Sequence, residues 1–266
     1  ALTVSGGTPG SFAGIIADNN GTNTGGKVGL SLNSAGNTLT LTGANTYTGT
    51  TTVNAGRLVF QNSRAGNTAS YVTNGTLEFN ATSTIQLQGG TVSGTGNLVK
   101  SGSGTVQLGA SGSPQTIALT GATSLIDVQG GLLRNEYGNS AWGSNLADLN
   151  VASGAVFDIW DGAATVDSIT GAGAINKGWS GDHTLTIGVN NGSGTFSGTG
   201  CATFTLSAAM AASVVRGKAR FRKALSASAS RTSACKKCSC AEGPAPSEVE
   251  GLHGREFYAT TPNLRV

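Results

Sequence analysis

Apolar and polar residues alternate along this chain in short runs that keep restarting. Leu2-Thr3-Val4, Leu39-Thr40-Leu41 and Leu185-Thr186-Ile187 place apolar side chains at every second position. A period of two puts those side chains on one face of a strand. Clusters of Gly, Asn, Ser and Thr separate the runs and favour tight turns. The pattern predicts many short strands. No stretch approaches the ~18 consecutive apolar residues of a membrane helix.

The runs also repeat. Val-x-x-Gly-x-Leu-x-apolar occurs at Val53, Gly56, Leu58 and Phe60, and again at Val72, Gly75, Leu77 and Phe79. Partial copies stand at Val128, Gly131, Leu133 and at Val151, Gly154, Val156. A second pattern joins a Gly-rich turn, an apolar pair, Lys and an alternating strand. It covers Gly96–Leu108 and Gly173–Ile187, and Gly29–Leu41 with Asn33 in place of the Lys. In a third, Gly10–Gly14 resembles Gly194–Gly198. Similar turns spaced by about 20 residues point to a solenoid in which each period is one coil. The expected fold is all-β, a right-handed parallel β-helix over residues 1–200. An antiparallel sandwich ranks second. Leu39, Leu41, Val53, Leu58 and Phe60 should face inward, and Thr38, Thr40, Thr42 and Arg57 outward.

Composition divides the chain near residue 200. Residues 1–200 carry a net charge of −3 and 38 of the 42 glycines; residues 201–266 carry +6 and all four cysteines. The overall +3 therefore averages two unlike segments and gives no support to nucleic-acid binding. Ala1–Gly7 lacks the basic start and apolar run of a signal peptide. Ala1 is not a start Met, so further chain is expected before it. The absence of cysteine from the first segment suits export through an envelope.

Asn37–Phe60 reads N-T-L-T-L-T-G-A-N-T-Y-T-G-T-T-T-V-N-A-G-R-L-V-F. It resembles the passenger-associated repeat of bacterial autotransporters, with Leu39, Leu41, Gly43, Asn45, Tyr47, Gly49, Val53, Gly56 and Leu58 as its motif residues. Arg57 departs from the usual small residue and should face solvent. The resemblance implies a passenger β-helix exported by its own C-terminal β-barrel. It also implies extracellular or outer-membrane-associated display, and roles in adhesion, aggregation or biofilm. Its partners would be host-cell, neighbouring-cell or matrix surfaces, with self-association through exposed solenoid ends. The motif is linked to passenger folding and secretion. No catalytic role and no cofactor are expected.

The rival reading is a β-helix carbohydrate-active enzyme, a polysaccharide lyase or glycosidase. Glycosidases use two carboxylates roughly 5–9 Å apart. Asp158, Asp161 and Asp167 lie within ten residues, beside Trp160. Turns also favour Asp for its local hydrogen bonds, which is the preferred explanation. Gly178–His183 puts Ser180, Asp182 and His183 together, but neighbours along a turn rarely form a triad. Tyr47, Tyr71, Trp142, Trp160 and Trp179 could form a contact surface; local packing is the simpler reading.

Residues 201–266 are expected to be a non-homologous, basic tail, largely irregular or partly helical. The change of text falls inside a repeat unit near Gly198–Cys201, which points to a frameshift or a read-through into non-homologous sequence. Cys235, Cys238 and Cys240, with Cys201 or His253, make a weak metal motif because only one Cys-x-x-Cys knuckle is present.

Overall fold

The structure is a computed structural model. It describes residues 1–8, 10–18, 25–66, 69–136, 142–178 and 183–200, and the backbone of four strands beyond them. The described chain is a parallel β-solenoid of about eight turns. Each coil has three faces, because three short runs separated by glycine-rich corners close one turn.

The first face begins with β1 (Leu2–Ser5), which pairs in parallel with the start of β3 (Leu30–Leu41). The second begins with β2 (Gly10–Phe12), which pairs with the end of β3. β4 (Thr51–Gln61) also runs through both faces. The β3–β4 ladder shifts register between Leu32 and Thr38, where the two strands turn the corner. The third face is the ladder Thr84–Leu87, Thr105–Leu108, Leu132–Asn135, Val156–Asp158, Ala174–Asn176.

Register builds the core as columns. On the second face Leu39, Leu58, Leu77, Leu98, Ile126, Leu149 and Ile169 stand in line. Beside them run Phe12, Leu41, Phe60, Phe79, Lys100, Val128 and Val151. Parallel in-register stacking puts like on like, so most apolar side chains in these columns lie between two others, with Lys100 as an exception. Full burial of such a side chain stabilises by about 1.5–3 kcal/mol before entropy is counted. Phe60 and Phe79 stack at 5.4 Å, and Tyr71 meets each edge-on.

The inward assignments hold for Leu41, Val53, Leu58 and Phe60, all at most 1% exposed. Leu39 is half-buried against the same core. Thr42 is exposed; Thr38 and Thr40 are half-buried. Arg57 is 43% exposed and caps the buried carboxylate of Glu78 on the next coil.

Two sequence equivalences shift. Val53 pairs with Thr73, not Val72, so Tyr71 and Thr73 face inward and Val72 is half-buried. Gly56 and Gly75 stay equivalent: the one-residue slip falls between Val53 and Gly56, and the 19-residue offset is restored where Arg57 meets Thr76. The Lys-containing pattern wraps a different corner in each copy. Gly96–Leu108 links the second face to the third. Gly173–Ile187 links the third to the first, and Gly29–Leu41 the first to the second. The pattern is therefore a way of turning any corner. Gly10–Gly14 and Gly194–Gly198 do share one face, so that third pattern is a true repeat in phase.

The solenoid also runs past its expected end. Thr203–Leu206 pairs in parallel with Thr184–Ile187 across four residues. T-F-T-L repeats the alternation of T-L-T-I, a match hidden by the change of composition around it. Beyond Leu206 the described residues are strands rather than helix, and their pairing turns antiparallel. Lys218–Lys223 pairs with Gly194–Phe196 and with Met210–Val215, and Arg231–Ser233 pairs with Thr203–Leu206.

Candidate functional site

The coil from Gly36 to Phe60 carries the densest motif, and its geometry explains the residue types. Residues 41–47 alternate strictly between buried and exposed, with Leu41, Gly43, Asn45 and Tyr47 inward. Gly43 lies against the preceding coil: a Cβ there would stand 2.0 Å from the Gly14 carbonyl oxygen. Two backbones can approach this closely only without a side chain. Gly56 combines a φ of 88° with a similar approach to the Ser34 carbonyl, so it meets both conditions that favour glycine. Gly49 packs on Val28 in the same manner.

Asn45 joins three coils. Its Oδ1 accepts the Ile16 N–H at 2.9 Å, and its Nδ2 donates to the Gly43 carbonyl at 3.0 Å and to Ser63 Oγ at 3.1 Å. At 6% exposure, an amide with these donors and acceptors filled is affordable, where an unfilled one is not. Tyr47 is fully buried and shares a 2.6 Å hydrogen bond with Thr51 Oγ1. Burial pushes its phenol up to about 12, partly offset by that bond. The coil is thus a polar seam inside an apolar column, satisfied only when the coils before and after are in place. Residues 36–60 match the family model of the passenger-associated-transport-repeat. This coil is an autotransporter passenger repeat. The repeat suggests a passenger scaffold, with a C-terminal translocator and secretion to the cell surface as what its family implies. No curated protein and no solved structure was found to match the chain.

The passenger repeat's clamp recurs elsewhere. Asn145 is fully buried; it accepts from Leu119 N–H and donates to the Thr165 carbonyl. Asn62, Asn74 and Asn97 each accept a backbone N–H from a residue 20 to 28 positions on, at Thr82, Thr95 and Leu125. Asp18 does the same for Val28 and Thr48, and the Thr48 hydroxyl and the Val28 N–H hold its carboxyl below the usual range. Asn and Asp at corners therefore fasten one coil to the next.

Two of the candidate acids belong to this set. Asp158 Oδ1 accepts the N–H of Trp160 at 3.0 Å and of Gly178 at 2.9 Å. Asp167 Oδ1 accepts from Asn190 and Gly192, both at 2.7 Å. Asp158 closes the third face, whereas Asp167 follows the first-face strand Ala164–Val166. Sequence proximity thus places these two acids on different corners, each holding the coil after it.

Around Asp158 the structure assembles residues that the sequence reading passed over. Arg134 Nε lies 3.4 Å from Asp158 Oδ2, and its guanidinium sits 3.8 Å from the centroid of the Trp160 ring. Trp160 has a φ of 37°, and Gly178 packs so tightly on the ring that a Cβ would fall 2.3 Å from it. Trp160 therefore packs between the Arg134 guanidinium and the Gly178 backbone. Glu136, 8% exposed, has its carboxyl pushed up by burial and by the nearby Asp161 and Asp158, against the pull of Arg134. Only register could have found Arg134 and Glu136, since they lie a full coil before Asp158.

Among the described residues the candidate aromatics do not gather into an exposed surface. Tyr47, Tyr71 and Trp142 are at most 2% exposed and fill the core. Trp142 packs on Phe157 at 5.6 Å. His183 is half-buried. Trp179, Ser180, Asp182, Cys201, Cys235, Cys238, Cys240 and His253 lie outside the described residues. Among the described residues no group of three or more His, Cys, Asp or Glu is arranged to hold a metal ion.

Proposed function

We propose that this chain is a non-catalytic passenger scaffold, displayed or released at the bacterial cell surface by a C-terminal β-barrel translocator. It presents its outer faces to host cells, neighbouring cells or matrix sugars in adhesion, aggregation or biofilm formation, and can associate with other chains through its solenoid ends. The observation that carries this reading is the repeat coil itself, whose polar residues are spent on joining coils. Asp158 and Asp167 support it, because backbone N–H groups of the following coil already occupy their carboxylates. A scaffold needs stiffness and a long lateral surface, which in-register stacking supplies.

A second reading, a carbohydrate-active enzyme, has one observation in its favour. Glu136 is a buried carboxyl raised toward its neutral form beside Asp158 and Asp161, as a general acid requires. The two readings separate in one experiment. The purified chain is assayed on a panel of polysaccharides and, immobilised, for capture of bacterial and host cells. The scaffold reading expects capture and no cleavage. Cleavage lost in Glu136→Gln and Asp158→Ala would establish the enzyme instead.

A further inference from the structure

The first-face ladder is interrupted inside the stack. It runs from β1 as far as Thr116–Leu119 and begins again at Ala164–Val166, which pairs with Thr184–Ile187. The coil between them has no first-face strand among its described residues. Residues 142–145 form a turn in its place, closed by the Asn145 N–H on the Trp142 carbonyl at 2.9 Å. The other two faces pass this point unbroken. Leu125–Val128, Asp148–Val151 and Ile169–Gly171 pair on the second, and Leu132–Asn135, Val156–Asp158 and Ala174–Asn176 on the third.

Side-chain amides stand in for the missing strand. Asn145 Oδ1 accepts the Leu119 N–H at 3.2 Å, and its Nδ2 donates to the Thr165 carbonyl at 2.8 Å. Asn135 Nδ2 donates to the Ala163 carbonyl at 3.0 Å. An asparagine amide carries both a donor and an acceptor, as a peptide group does, so one side chain can link the strands on either side. The backbone adds one bond on each side, from Leu146 N–H to the Leu119 carbonyl and from Asp167 N–H to the Ala147 carbonyl.

The joint is also poorly satisfied. Among the described residues seven buried side-chain N or O atoms lack a hydrogen-bond partner, and five of them belong to Gln115, Asn135, Glu136 and Trp142. Gln115 precedes the strand before the gap, Asn135 and Glu136 close the third-face strand of the same coil, and Trp142 opens the turn. Buried polar groups are normally paired, and each unpaired one lowers the stability of the coil that holds it. The third face around Asn45 has no strand either, but no such atom occurs there and the Asn45 amide has three partners. A coil can therefore do without a strand when its polar groups are filled, and around residues 142–145 they are not.

We propose that the solenoid carries a hinge at this joint. The first face parts between Leu119 and Thr165 while the ladders of the other two faces hold, and the Asn145 amide is the latch. Opening splays the stack on the first-face side and divides the scaffold into two stiff arms. Local opening starts where few bonds hold and buried groups are unpaired. The hinge depends on the stack alone and goes beyond the display reading above.

Hydrogen exchange of the full chain, read at single amides, tests it. Leu119 and Asp167 report on the gap. Thr116, bonded to Gly90 on the far edge of the same strand, Leu149 on the second face and Val156 on the third report on the intact ladders. Relative to their intrinsic rates, Leu119 and Asp167 should exchange faster than the other three in the wild type. Asn145→Ala should speed Leu119 further by roughly ten- to a hundredfold, the effect of losing two hydrogen bonds, and leave Leu149 and Val156 unchanged. Equal protection at all five amides of the wild type overturns the hinge, whether or not the variant folds. Acceleration of all five together in a folded Asn145→Ala chain also overturns it, because the three faces then open as one.

Discussion

The ammonium of Lys100 donates to the Gly130 carbonyl of the next coil at 2.8 Å. It also holds the carbonyls of Ser101 and Gly102, at 2.8 and 2.9 Å. The same lysine occupies a core column between Phe79 and Val128 and is 1% exposed. It is a cation used as a corner clamp, and burial lowers its pKa to about 8.

A depressed lysine makes stability rise with pH. Between about 8 and the ordinary value near 10.4 the unfolded chain binds the proton and the folded chain does not. The cost of burying the charge is therefore full below about pH 8 and fades above it. The wild type should gain on Lys100→Met as pH rises through this window, by up to roughly 3 kcal/mol. Parallel denaturant titrations of both proteins check this. Equal pH slopes would show that Lys100 titrates normally.

Phe60→Ala empties the space between Leu41 and the stacked Phe79. It should cost about 3–5 kcal/mol. Thr42→Ala, on the exposed side of the same coil, should stay within about 0.5 kcal/mol. Chemical denaturation of the two variants tests the inward assignment.

Gly43→Ala and Gly10→Ala should move stability in opposite directions. The first forces a methyl group onto the Gly14 carbonyl and should cost about 1–3 kcal/mol. At Gly10 nothing lies within 4 Å of the new Cβ, and the backbone is not left-handed. There the loss of unfolded-state freedom should stabilise by about 0.4–1 kcal/mol. Melting temperatures of the two variants decide it.

Asp18 fastens the first coil to the Thr48 hydroxyl and to the N–H groups of Val28 and Thr48. Its pKa is lowered, so its contribution is present at neutral pH and is lost as pH falls through the depressed value. Protection of the Thr48 amide, taken relative to its intrinsic exchange rate, should therefore fall in acid. Asp18→Asn should bring that loss of protection to neutral pH. Protection unchanged in Asp18→Asn would contradict the clamp.

The architecture was legible because alternation and glycine spacing are local signals. Leu58 and Leu77 stand 19 residues apart in both the sequence pattern and the ladder. Phase was harder to read. The step from Leu98 to Ile126 is 28 residues, because coils absorb extra residues at corners without disturbing the strands. Val72 does not stack on its repeat counterpart Val53 for that reason: a one-residue slip at a corner exchanges the inner and outer faces. Thr203–Leu206 was missed because composition changes there while alternation continues. The Asp158 corner could not be read from neighbouring residues, since Arg134 reaches it across a coil. Asn45 was recognised by resemblance, and its role as a bridge across three coils is visible only in the stack.

The central claim is that this chain is a secreted passenger scaffold. Its most direct test is surface display. The chain, carrying an N-terminal tag, is fused ahead of an autotransporter β-barrel and probed with antibody on intact cells. The account predicts tag signal on intact cells that external protease removes. A tag reached only after lysis, with the barrel correctly inserted in the outer membrane, would contradict it.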